Sequence, residues 1–119
     1  MDEHLAGAVG RLVGLDVSAE MTSRAAERNP GVEYVVSDAA MFPFADSTFD
    51  VAFASCVLHH VPRGERAALV AELARVVRPG GLVSVLEHNP INPATRLVVA
   101  RCEFDEDAVL LRMRETAAC

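Results

Sequence analysis

The sequence predicts an α/β fold, with a mostly parallel sheet layered between helices. Short apolar runs alternate with stretches of helical spacing, the pattern of strand–helix–strand units. An acidic residue, Asp16, closes the first of those runs, at the end of the strand where open α/β sheets bind ligands. In sheets that hold a ribose with such a carboxylate, a glycine-rich turn precedes it by about 20 residues. Counting back that far from Asp16 runs off the chain, so the sheet is expected to lack its first strand and glycine-rich loop.

Each element has a local reason. Asp2–Val9 carries Leu5, Ala8 and Val9 at helical spacing and reads as the end of a longer helix. Arg11–Asp16 (RLVGLD) is a strand, and Ser18 is placed to cap a helix over Ala19–Asn29, with Glu20 at its positive end. Pro30-Gly31 stops that helix, and Val32–Ser37 (VEYVVS) is a buried strand ending at Asp38. Ala39–Thr48 reads as a loop, with Pro43 and the turn-forming Asp46-Ser47. Phe49–Ser55 (FDVAFAS) is a strand, followed by the short segment Cys56–Val61. Over Arg63–Val77 the residues Leu69, Val70, Leu73, Val76 and Val77 form a core-facing helical stripe, ended by Pro79-Gly80-Gly81. Leu82–Glu87 (LVSVLE) is a further strand. His88-Asn89-Pro90 and Asn92-Pro93 then lead to a short helix, Ala94–Cys102, and an acidic patch, Asp105–Asp107.

The 119 residues suit a single domain, small for a complete doubly wound sheet. A net charge of −6, no lysine and scattered arginines argue against a nucleic-acid partner, whose phosphates need clustered cations. Three well-separated cysteines without a CxxC pair, and no signal-peptide pattern at the start, suit a reducing, cytoplasmic setting. The longest apolar run is far too short to span a bilayer, so no membrane partner is expected. An acidic enzyme acting on a small molecule fits better.

Candidate site residues follow from position. Asp16 and Asp38 lie twenty-two residues apart in sequence, at the carboxyl ends of strands expected to be adjacent and parallel, and would converge on one crevice. Aspartate is also a common turn former, which is the competing explanation for both. Asp50 starts its strand, opposite the binding end, and reads as structural. His59-His60 suggest a metal, but adjacent helical residues diverge and nothing else stands at a ligand spacing, so a packing or substrate-lining role is favoured and no metal is expected. His88 follows a strand end, where its near-neutral pKa would suit removing a proton from an acceptor, or merely lining the site. Cys56 as a nucleophile is weaker, and Arg96 with the acidic patch reads as a solvated face.

Four segments carry a resemblance in order along the chain: GLDVS at 14–18, SDAAMFPFADSTFDVAFAS at 37–55, VLHHV at 57–61 and ELARVVRPGGLVSVLEHN at 72–89. Together they resemble the class I S-adenosylmethionine-dependent methyltransferases, in the branch acting mostly on small molecules. The resemblance covers about Arg11 to Asn89, and implies a Rossmann-like three-layer sandwich and S-adenosyl-L-methionine as cofactor. It maps Asp16 onto the ribose hydroxyls, Val17 onto the adenine face and Asp38 onto the adenine amino group. The Ala39 backbone would meet the ring edge, and Ser55 and Cys56 would line the passage from cofactor to acceptor.

The family's glycine loop has no counterpart, since Gly7 and Gly10 precede Asp16 by only nine and six residues. Its later helix and final antiparallel strands are also missing after Cys119. The chain therefore reads as one partial domain over 1–119, truncated at both ends, with methyl transfer by the chain alone expected to be impaired. Removing a central strand would leave Arg11–Asp16 and Phe49–Ser55 with unpaired edges, a route to a homodimer. An incomplete gene product is favoured over a strand donated by another chain or a sheet that closes the gap. Two alternatives stay open: a nicotinamide-binding oxidoreductase, and a non-catalytic remnant that binds or dimerises.

Overall fold

Apolar alternation and cap residues set the element order in the computed structural model, which describes residues 7–38, 40–101 and 111. Those elements are β1 (Val13–Asp16), α1 (Ala19–Arg28), β2 (Glu33–Val36), β3 (Phe49–Ser55), α2 (Arg66–Val76), β4 (Val77–Leu86) and α3 (Pro93–Val99). They divide into two units, Met1–Pro43 and Phe44–Cys119. Each unit holds a two-stranded parallel sheet, β1–β2 in one and β3–β4 in the other. The expected helix end at Asp2–Val9 falls mostly outside the described residues, and residues 7–10 form turns and bends.

In the first unit, Asp16 pairs with Val36 and Leu15 with Val35. The ladder reaches slightly past the strand bounds, because Glu33 N–H donates to Leu12 O at 3.1 Å and Ser37 N–H to Asp16 O at 3.1 Å. This accounts for the longer strands expected at Arg11–Asp16 and Val32–Ser37. Ser18 caps α1 as its sequence predicts, its Oγ accepting from Met21 N–H at 3.3 Å. At the other end Asn29 Nδ2 donates to Ala25 O and to Tyr34 Oη, both at 3.1 Å, tying the helix terminus to β2. Thr22, Val32 and Phe42 are buried there.

In the second unit, β3 has the bounds its sequence predicts. The helix α2 starts later than expected, at Arg66, because Pro62–Glu65 closes a turn through Glu65 N–H to Pro62 O at 2.9 Å. Leu69, Leu73 and Val76 are buried, as their spacing predicts.

The largest departure concerns Pro79-Gly80-Gly81. These residues were expected to separate helix from strand, yet β4 begins directly at Val77 and contains them. Phe49 pairs with Val77 and Val51 with Leu82, so the extra β4 residues loop out as a bulge. Gly80 takes φ +81°, and a Cβ on Gly81 would lie 2.5 Å from Asp50 O and from Val77 Cγ1, so the bulge needs both glycines. Asp50 pairs there with Arg78, in keeping with its structural reading.

The loop before β3 is held by Arg75, which donates to Phe44 O at 2.9 Å and pairs with Asp46 at 2.7 Å and Glu72 at 2.8 Å. Asn92 caps α3 by accepting from Ala94 N–H at 2.9 Å, with Pro93 in the first turn. This helix was expected to reach Cys102, which lies outside the described residues, as do Asp105–Asp107. No helix among the described residues is long and apolar enough to cross a membrane.

Candidate functional site

In the first unit, parallel pairing carries Asp16 and Asp38 to the carboxyl ends of neighbouring strands. Asp16 is the last residue of β1 and is exposed. Its Oδ1 accepts from Ser18 N–H at 2.8 Å, orienting the carboxylate over the start of α1. Oδ2 has no hydrogen-bond partner among the described residues, so it can accept a ligand hydroxyl. Val17 is 68% exposed, an apolar side chain held in solvent beside that carboxylate.

Asp38 Oδ1 accepts from Ala40 N–H at 3.1 Å and Met41 N–H at 3.3 Å, the Asx-type turn weighed as its competing explanation. One carboxylate oxygen thus shapes the loop, while the other has no partner among the described residues. Ala39, expected at the ring edge, lies outside them.

In the second unit, Ser55 pairs with Leu86 at the carboxyl end of β3. Cys56 follows with φ +55°, a left-handed conformation uncommon for a residue with a side chain. It is held there by its N–H, which donates to Leu86 O at 2.7 Å. Its Sγ lies 4.0 Å from His88 Nδ1, so those two candidates meet beyond the paired strand ends.

The turn after Cys56 is fixed from two sides. Glu87 Oε1 accepts from Val57 N–H at 3.1 Å and Leu58 N–H at 2.7 Å, and Oε2 lies 2.6 Å from His59 Nδ1. The buried Arg66 donates from Nε to Leu58 O at 3.0 Å and Val61 O at 2.9 Å. Leu58 and Arg66 are buried, so the Leu58 N–H and the Arg66 guanidinium would be left short of a partner if these contacts were lost.

His59 packs inside the second unit, while His60 is exposed. The His59 ring centroid lies 4.1 Å from that of His60 and 5.2 Å from that of His88. Among the described residues no group of three or more His, Cys, Asp or Glu is arranged to hold a metal ion.

Sequence reasoning placed Asp16, Val17, Asp38, Ser55, Cys56 and His88 near strand ends, and missed Glu87 and Arg66. Arg66 could have been suspected as a cation at the head of an apolar helical stripe. The Glu87–His59 pair spans 28 positions and leaves no local signature.

Comparison with known proteins gives this arrangement a family. The family model described as "Methyltransferase domain" matches residues 1–85. The chain is 37% identical over 76 residues to a demethylmenaquinone methyltransferase of Renibacterium salmoninarum, covering 64% of this chain and 31% of that protein. It is 36% identical over 87 residues to a ubiquinone/menaquinone biosynthesis C-methyltransferase of Bdellovibrio bacteriovorus, covering 70% of this chain and 36% of that protein. A crystal structure of a SAM-dependent methyltransferase from Methanosarcina mazei superposes with a TM-score of 0.67 at 27% identity, covering 82% of this chain and 52% of the other. The chain thus spans about a third of the curated relatives and about half of the solved one. The match favours methyl transfer over the nicotinamide alternative. By these matches the chain belongs to the class I S-adenosyl-L-methionine-dependent methyltransferases, a Rossmann-like α/β family whose cofactor is S-adenosyl-L-methionine.

Proposed function

We propose that the chain serves methyl transfer from S-adenosylmethionine to a small-molecule acceptor, a naphthoquinone-type ring. The observation that carries the cofactor half is the pair of carboxylates, Asp16 and Asp38, at the ends of neighbouring parallel strands. The acceptor class is supported by the names of relatives, including the demethylmenaquinone methyltransferase above and a 2-phytyl-1,4-naphtoquinone methyltransferase of Nostoc punctiforme, 34% identical over 97 residues.

The residues fit the cofactor's chemistry. A ribose offers two hydroxyl donors, and Asp16 Oδ2 is an exposed charged acceptor with no competing partner among the described residues. Val17 offers an apolar surface to the adenine face, and Asp38 accepts from the adenine amino group. When bound, S-adenosylmethionine supplies a methyl group already activated for displacement. The chain then orients the acceptor and removes its proton. Ser55 and Cys56 are assigned to the acceptor side, in the second unit. His88 takes the proton at Nε2, since Nδ1 is the nitrogen turned to the Cys56 thiol.

The test is calorimetric titration of the chain with S-adenosylhomocysteine, followed by methyl incorporation into a demethylated naphthoquinol and, separately, into a primary amine. Binding that depends on Asp16, with incorporation into the quinol alone, is the expected result. Incorporation into the amine but not the quinol would reject the acceptor class. Binding indifferent to Asp16→Ala would reject the cofactor assignment.

A further inference from the structure

We propose that residues 91–101 form a surface that docks the second unit onto a phospholipid bilayer, lying in the headgroup layer without crossing it. Its use, bringing the acceptor side of that unit to an acceptor held in lipid, rests on the function proposed above; the surface itself does not. Three large apolar side chains stand in solvent there: Ile91 is 84% exposed, Val98 67% and Leu97 53%. Ile91 is the most exposed large apolar side chain among the described residues. Arg96, next to Leu97 in the chain, and Arg101 are exposed too, and neither has an ion-pair partner among the described residues.

The backbone fixes this display. Asn89 Oδ1 accepts from Ile91 N–H at 3.0 Å and Asn89 O from Asn92 N–H at 3.3 Å, so Ile91 is held in a closed turn ahead of α3. Within α3 the buried side chain is Val99, 7% exposed. At about 100° per residue, Leu97 lies about 200° and Val98 about 100° around the helix from Val99. The outward face is therefore apolar, where a helix on a watery surface is ordinarily polar. Arg96 flanks that face, and Arg101 follows at its end.

Charge singles out the partner. From His88 to Arg101 the sequence has two arginines and no acidic residue, in a chain of net charge −6, and acidic residues resume at Glu103. A segment that lies in a bilayer interface needs those parts: apolar side chains for the acyl boundary and cations for the headgroup phosphates. A guanidinium meets phosphate oxygens through two parallel hydrogen bonds. A protein partner fits less well, because the seven residues of α3 span about 10 Å, whereas a stable protein interface buries about 800 Å² on each side. The sequence reading of no membrane partner rested on the length of apolar runs, which bears on spanning a bilayer and not on contact with its surface.

The experiment is flotation of the full chain, without cofactor or acceptor, on vesicles of equal parts phosphatidylcholine and phosphatidylglycerol, with thermal melts as a fold control. The native chain is expected to float with the vesicles. Ile91→Ser, Leu97→Ser and Val98→Ser combined should release it, while Met41→Ser, at an exposed apolar position of the first unit, should not. Arg96→Gln and Arg101→Gln should each weaken binding about fivefold, the factor for about 1 kcal/mol per arginine at an anionic surface. A native chain that stays in solution, a triple serine variant that still floats, release by Met41→Ser as well, or arginine substitutions without effect overturns the proposal. So does a triple variant of altered oligomeric state in light scattering, which would assign the surface to a second copy. If the triple variant does not fold, Leu97→Trp in this tryptophan-free chain decides: emission that moves to the blue with vesicles supports the proposal, and emission that does not move overturns it. Since no cofactor is bound and no methyl transfer is measured, failure of the proposed function and failure of this inference remain distinguishable.

Discussion

Replacing Asp16 by alanine and by asparagine separates ligand binding from helix entry, because its two carboxylate oxygens have different surroundings. Oδ1 accepts from Ser18 N–H at 2.8 Å, and Oδ2 is turned to solvent. Alanine removes both acceptors. A hydrogen bond to a charged group is worth about 1.5–3 kcal/mol, so the dissociation constant for S-adenosylhomocysteine should rise about 10- to 150-fold. Losing the Ser18 contact costs about 0.5–1 kcal/mol at this exposed helix start, lowering Tm by about 4 °C. Asparagine keeps a neutral oxygen for Ser18 N–H, so Tm should stay near the parent value. Its amide is a weaker partner for the ribose, and a loss of about 1 kcal/mol corresponds to about fivefold weaker binding. Isothermal titration calorimetry and thermal melts of the three proteins give the comparison. If asparagine binds as tightly as the parent while alanine loses both affinity and stability, Asp16 acts only as a turn residue and the ribose assignment is refuted.

Three further outcomes follow from single contacts. Asp38→Asn keeps an oxygen for Ala40 N–H and Met41 N–H, so Tm should hold and cofactor affinity should fall by less than in Asp16→Ala; an equal or greater fall in the same titration would show a structural role instead. Gly81→Ala puts a Cβ 2.5 Å from the Asp50 carbonyl oxygen, and should lower stability by about 1–3 kcal/mol in a urea melt, whereas an unchanged midpoint would mean the bulge can relax. Arg66→Met keeps much of the aliphatic packing but removes the side-chain donor to Val61 O and one of the two donors to the buried Leu58 O, which keeps Val61 N–H at 3.2 Å, at about 1–3 kcal/mol in all; hydrogen exchange should then quicken across 57–61 before the rest of the second unit, and uniform exchange would contradict the local brace.

Local chemistry was enough to read much of the frame. Alternating apolar runs marked the four described strands, Ser18 announced the start of α1, and spacing alone picked out Leu69, Leu73 and Val76 as core residues. The same reading set Asp16 and Asp38 at strand ends, because that depends only on where an apolar run stops. Tertiary structure decided what joins residues distant in sequence. Pro79-Gly80-Gly81 looks like a helix stop, but becomes a bulge because β4 must realign on β3 after Phe49 pairs with Val77. Asp38 carries a turn, which is visible only once Ala40 and Met41 fold back onto it. Glu87 and His59 gave no periodic signal, since a buried carboxylate–imidazole contact is specified by the approach of β4 to the turn after β3. Periodicity reports which face of an element is buried, while the partner that each buried polar atom finds depends on the packing of the elements.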